Sequence, residues 1–182
     1  MAKHSKSTAA SVAIRTRRTY FDCHFGQLHV RTAFPSSGGF DEQVTLFCLH
    51  PSEGSSRSFN RLLPGMAHDR SVYAPDLPGY GESDPAPSFG SADATRAMSD
   101  LASDLRLRRI DVLGVGFGAT VALEIAAARA DLVRRLVLAA IPPMESKPGA
   151  AQPTLILEGG LEAAQGPEIA DTVKRIRAFL RG

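Results

Sequence analysis

A strong charge of one sign, long apolar runs and paired cysteines are all missing from this chain, and each absence removes a class of protein. Lys and Arg number 21 against 19 Asp and Glu, a net charge of +2 over 182 residues. That is too small and too scattered for the basic footprint of a nucleic-acid binder. The paired arginines Arg108-Arg109 and Arg134-Arg135 read as solvated helix ends. The longest apolar runs, Leu136 to Ile141 and Leu155 to Leu157, fall far short of the ~20 residues that a membrane-spanning helix needs. Cys23 and Cys48 stand alone in YFDCHF and VTLFCLH. Without Cys-x-x-Cys spacing they give neither a zinc site nor a redox motif, and a thiol inside a strand-like run is usually a small buried apolar group. No other spacing suggests a metal site, and a reducing, cytoplasmic setting fits. Residues 1–18 carry Lys, Arg, Ser and Ala with no apolar stretch and no acid, so they read as a flexible basic tail and not as a secretory signal.

What is present is ordinary globular material, 43% hydrophobic and 22% charged, enough for one core in one domain over residues 19–182. Short apolar runs alternate with helical patterns, the order expected of a mostly parallel sheet covered on both faces. Strands are expected near Thr19 to His24, Leu28 to Phe34, Val44 to His50, Ser71 to Asp76, Ile110 to Gly114, Leu136 to Ala140 and Thr154 to Leu157. Helical stripes run through Phe59, Leu62, Leu63 and Met66, through Ala94, Met98, Leu101 and Leu105, and through Ile169, Val173, Ile176 and Leu180. The alanine-rich segment after Gly118 predicts a helix lying close to the sheet, and Pro35 to Gly39 and Pro142 to Pro153 read as loops. The fold class is α/β, a single-domain three-layer αβα sandwich.

Three segments carry a family resemblance: LHPSEGSSRSF (Leu49 to Phe59), YAPDLPGYGESD (Tyr73 to Asp84) and DVLGVGFGATVALEIAAARADLVRRLVLAAIP (Asp111 to Pro142). Together they resemble the α/β-hydrolase superfamily, over about Phe25 to Leu180. The first is similar to the loop that supplies one oxyanion donor, usually His-Gly-x-Pro-Gly, and the second to the fourth-strand signature Asp-x-x-Gly-x-Gly-x-Ser. The third looks like the fifth strand, the nucleophile elbow, its helix and the sixth strand.

At the elbow the chemistry departs from the family. The pattern Gly-x-Ser-x-Gly places a nucleophile on a tight strand-to-helix turn, whereas here the five residues are Gly114, Val115, Gly116, Phe117 and Gly118. Gly116 at the nucleophile position has no atom with which to attack a carbonyl. The family's triad runs nucleophile, acid, histidine along the chain, yet all five histidines (His4, His24, His29, His50 and His68) precede Gly116. PTLILEGGLE resembles the seventh-strand segment, with Glu162 where the family carries its acid. The eighth strand and its histidine loop are expected to be absent, and the short connection PPMESKPGAAQP leaves no room for the helical cap. Glu162 and Glu145 then read as solvated carboxylates, because an acid there matters only by orienting a base.

The same residues admit other readings. Gly114-x-Gly116-x-x-Ala119 satisfies the dinucleotide fingerprint, but the next strand ends Val137-Leu138-Ala139-Ala140 without the acid that holds a ribose. An anion site formed by the amides of Phe117 and Gly118 at a helix N-terminus, with the amide near Ser52, remains open. His50 reads as a brace for the oxyanion loop, with activation of water as the competing role. Pro51 and Glu53 replace the family's Gly and Pro, and a Glu53 carboxylate there would repel an oxyanion. Asp76, Gly79, Gly81 and Ser83 read as turn formers. The resulting expectation is a hydrolase homologue without nucleophile and histidine, a pseudoenzyme acting as a binding or interaction module. No cofactor, nucleic acid or membrane partner is expected. The seventh-strand edge would pair with a second copy or another protein, and a small carboxylate or ester is the ligand class. An atypical esterase using water activated by His50, or a histidine lent by a partner, and a nucleotide or anion site at the Gly114–Gly118 turn are the alternatives.

Overall fold

A computed structural model describes residues 14–36, 42–88, 90–142, 151–158 and 167–182. Seven strands, β1 (Thr16–Cys23), β2 (Gly26–Ala33), β3 (Thr45–Leu49), β4 (Val72–Pro75), β5 (Ile110–Val115), β6 (Val133–Ala139) and β7 (Thr154–Leu157), form one sheet in the order β1-β2-β4-β3-β5-β6-β7. β1 and β2 join as an antiparallel hairpin that pairs with β4, and every pairing from β4 to β7 is parallel. β1 begins earlier than the sequence indicated: Arg17 and Arg18 of the expected tail pair with Thr32 and Arg31. Residues 1–13 lie outside the described residues.

The strands of the sheet centre are buried on both sides, which explains their near-continuous apolar sequences. Phe47, Leu49, Ile110, Val112, Leu136 and Leu138 turn to one face, beneath α2 (Ser91–Asp104) and α3 (Phe117–Ala128). Leu46, Cys48, Leu113, Val115, Val137 and Ala139 turn to the other, beneath α1 (Leu63–Met66) and α4 (Pro167–Arg181). Two apolar clusters separated by a sheet make the expected three layers. Buried Ala119, Ala122 and Ala126 let α3 lie close over β3, β5 and β6, since an alanine holds a helix off the sheet by only a methyl group. No helix among the described residues is long and apolar enough to cross a membrane.

Two sequence expectations need correction. The stripe from Phe59 to Met66 is not one helix but a 3-10 turn, Ser56–Phe59, followed by the single turn of α1. Pro64 lacks the N–H that would continue the helix through Asn60, so the chain restarts there. Arg134 is also no solvated helix end. It lies in β6 and donates from Nε and Nη2 to Asp111 at 2.9 and 2.7 Å. Asp111 accepts a further bond from buried Arg70 at 3.2 Å, and Arg70 donates to Asp69 at 3.1 Å. Asp69 in turn takes Arg177 and Arg181 from α4. This ion cluster ties the last helix to the N-terminal ends of the central strands, away from the elbow.

Candidate functional site

The chain leaves β5 and enters α3 through Gly116, whose backbone sits at φ +56°, ψ −121°. That region is costly for a residue with a side chain, and it is the turn that aims a nucleophile out of the sheet. The same turn is pressed against β3. A Cβ on Gly118 would collide with the Leu49 backbone, and one on Gly114 would lie 2.7 Å from the Ala119 Cα. Glycine at these two positions is therefore required by close approach.

What faces Gly116 is Pro51. A Cβ at residue 116 would lie 3.1 Å from Pro51 Cβ and 3.5 Å from Pro51 Cα, tighter than relaxed carbon contact. The two replacements seen separately in the sequence are thus one feature: a proline ring stands where the family has glycine, against a glycine where the family has its nucleophile. The loop continues as a tight turn closed by Gly54 N–H donating to the Pro51 carbonyl at 2.9 Å, with Ser52 and Glu53 exposed at its corner.

His50 is fully buried, and both ring nitrogens are engaged. Nδ1 lies 2.7 Å from the Pro51 carbonyl, and Leu77 N–H donates to Nε2 at 2.9 Å. A carbonyl only accepts and an amide N–H only donates, so the network assigns the proton to Nδ1. Burial lowers the His50 pKa below its ordinary value, against opposing contributions from the Pro51 carbonyl and Asp76. The imidazole stays neutral and has no nitrogen left to take a proton from water. Both ring nitrogens are thus committed to backbone groups, the contacts expected of a brace for the loop.

Below the loop, buried Asp76 receives Ser56 N–H at 2.6 Å, Glu82 N–H at 2.9 Å and His29 Nδ1 at 2.9 Å. Ser83 Oγ donates to the Asp76 carbonyl and accepts from His29 N–H. Burial alone would raise the Asp76 pKa, but the N–H donors of Glu82 and Ser56 and the contact with His29 hold it below 3.8. Gly79 and Gly81 take positive φ, and the whole motif is a turn clamped on one carboxylate. The role of His29 in that clamp has no signal in the sequence: alternation sets it on the face opposite Leu28 and Val30, where a polar residue is expected to meet water, and it is buried there only because Asp76 lies against it.

The expected anion site is reduced. Gly118 N–H donates to the His50 carbonyl at 3.1 Å, and Gly116 N–H to the Ala139 carbonyl at 3.0 Å. The Gly118 amide cannot also serve a ligand, which corrects the set of Ser52, Phe117 and Gly118. Phe117 N–H, at the first position of α3, has no carbonyl partner among the described residues. Glu162 and Glu145 lie outside the described residues. Of the other histidines, His24 and His68 are exposed and His29 is held by Asp76. Among the described residues no group of His, Cys, Asp and Glu could hold a metal ion. A surface hollow of about 530 Å³ lies elsewhere, between His24, Phe25, Pro85 to Pro87, Asp93 and Arg96.

The model of the alpha/beta hydrolase family matches residues 46–181. The chain is 31% identical over 149 residues to a pimeloyl-[acyl-carrier protein] methyl ester esterase of Neisseria meningitidis, covering 78% of this chain and 53% of that one. It is 31% identical over 109 residues to a soluble epoxide hydrolase of Corynebacterium, covering 59% and 38%. A haloalkane dehalogenase of Bradyrhizobium elkani superposes with a TM-score of 0.63 at 25% identity, over 72% of this chain and 44% of that one. The chain therefore spans about half the length of these relatives or less. A family match over residues 46–181, three quarters of the sequence, places this chain in the alpha/beta hydrolase family.

Proposed function

We propose that this chain is a non-catalytic member of the family that works as a binding module. The observation that carries the reading is glycine at the nucleophile position with Pro51 crowding it: residue 116 offers no attacking atom, and a Cβ there would lie 3.1 Å from Pro51 Cβ. Two further features support it. His50, the histidine nearest the turn, spends both nitrogens on the backbone, and no histidine follows Gly116 in the sequence. Acyl transfer needs a nucleophile, a base and an oxyanion hole acting together; here the nucleophile position is glycine and the nearby histidine has both nitrogens engaged. The ligand class is a small carboxylate or ester, held by the amides of Phe117 and Ser52 beside the Phe117 and Tyr80 rings, which lie 6.2 Å apart. Free Cys23 and Cys48 suit a reducing, cytoplasmic setting.

The test is a time-resolved assay with p-nitrophenyl esters of several chain lengths. Release no faster than with free imidazole at equal concentration is expected for the wild type and for Gly116→Ser. Turnover that follows the folded protein and disappears in both His50→Ala and His50→Gln would overturn the reading.

A further inference from the structure

α4 carries more positive charge than its ion cluster uses. Among the described residues, Asp69 and Asp111 are the carboxylates of that cluster, and four guanidinium groups, those of Arg70, Arg134, Arg177 and Arg181, bond to them. Four charges against two leave an excess of two. Lys174, one turn before Arg177, is exposed and has no carboxylate within ion-pair distance among the described residues. Asp69 cannot absorb the surplus. Its Oδ1 accepts Arg70 Nε at 3.1 Å, and its Oδ2 already accepts Arg181 Nε and Nη2 at 2.9 and 2.6 Å. Arg177 Nη2 is a third donor to that same oxygen, at 3.4 Å, and Arg177 Nε is buried without an acceptor. An unmet buried donor costs stability, so this guanidinium is underused where it rests.

The same cations border a hollow. About 320 Å³ of space lies along α4 between Ala170, Val173, Lys174, Arg177, Ala178 and Arg181. These residues form two rows on one flank of the helix, each at i, i+4 and i+8: Ala170-Lys174-Ala178 and Val173-Arg177-Arg181. The short side chains of Ala170 and Ala178 leave the room on either side of Lys174. Three cations and no carboxylate line the hollow among the described residues, a surface whose field favours an anion.

We propose that this flank of α4 binds a phosphate-bearing anion of two or more negative charges. A dianion matches the surplus of the cluster, where a single carboxylate would leave part of it. The forked guanidinium of Arg177 and the compact ammonium of Lys174 are the two side-chain types suited to phosphate oxygens. The Arg177 side chain is 23% exposed, and turning it toward the hollow gives its Nε an acceptor while Arg181 keeps Asp69. The hollow lies by the N-terminal ends of the central strands, away from Gly116, so the inference stands apart from the non-catalytic reading.

Inorganic pyrophosphate, titrated into the pure chain at constant ionic strength, is expected to raise the unfolding temperature saturably below about 10 mM. Lys174→Gln and Arg177→Gln should each raise the midpoint of that titration about tenfold. The Lys174 side chain bonds nothing among the described residues, so its variant tests the hollow without disturbing the ion cluster. Arg175→Gln removes an equal charge from an exposed neighbour outside the hollow and should leave the midpoint unchanged. Adenosine diphosphate, run beside pyrophosphate, separates the sources of the phosphate: equal midpoints mean that phosphate alone is read, and a lower one for the nucleotide means that the hollow also takes the nucleoside. No saturable shift with either anion, or one that Arg175→Gln weakens as much as Lys174→Gln, is the behaviour of an adventitious ion only and would overturn the proposal.

Discussion

Gly116 and Pro51 show how two substitutions that each look disabling become one compatible pair. Returning a hydroxyl at Gly116 alone should restore nothing, because a Cβ there meets Pro51 at 3.1 Å and occupies a positive-φ backbone. Gly116→Ser is expected to cost about 1–2 kcal/mol of stability, measured by urea unfolding. Adding Pro51→Gly should recover the part due to contact, so the two changes will be non-additive. Additive losses would show that the two residues do not compete for the same space. His50 offers a second test at this scale. His50→Ala strands the Leu77 N–H and leaves a void in a site with no solvent exposure, an expected loss of about 2–4 kcal/mol. A loss below about 0.5 kcal/mol, within the range of ordinary surface changes, would remove the brace from the account.

Among the elements, α4 depends on the ion cluster as much as on its apolar stripe. Asp111 is completely buried and bonds both Arg70 and Arg134, so Asp111→Ala leaves buried Arg70 with Asp69 alone and Arg134 with only the Leu180 carbonyl, and should cost about 3 kcal/mol or more. Arg181 is half exposed where it meets Asp69, and Arg181→Ala should cost under about 1 kcal/mol. Thermal unfolding of the two variants checks the order, and a reversal would mean that the outer pairs anchor the helix. The cluster also marks the limit of sequence reading. β3, β5 and β6 were legible because strands buried on both faces have apolar runs that stand out without any partner. The helix expected from Phe59 to Met66 failed because periodicity registers apolar spacing and not the missing N–H of Pro64. Arg134 was misread because its partner Asp111 is distant in sequence and nothing local pairs them. At the site, glycine at the nucleophile position was plain from residue identity. The contact of Pro51 with Gly116 and the spent Gly118 amide needed the fold.

For the molecule as a whole, these carboxylates set how stability follows pH. Asp76 and Asp69 both titrate below their ordinary 3.8 in the folded chain. Burial opposes this in each case. It is outweighed at Asp76 by the Glu82 and Ser56 donors and at Asp69 by Arg181 and Arg70. A carboxylate whose folded pKa is depressed contributes stability that is fully present above its unfolded value and is lost as pH falls through its folded value. The unfolding midpoint is therefore expected to hold from neutral pH down to about pH 5, then to fall steeply toward pH 3. Asp76→Asn should separate this contribution from general acid sensitivity. It removes the charge that holds the Ser56 and Glu82 amides and His29, so it should be about 2 kcal/mol less stable than the wild type at pH 7. Since protonation neutralises the wild-type carboxylate at low pH, the gap should narrow as pH drops below 3.8. Urea midpoints for both proteins across pH 7 to 3 measure it, and parallel curves with a constant gap would show that Asp76 holds its turn by shape alone.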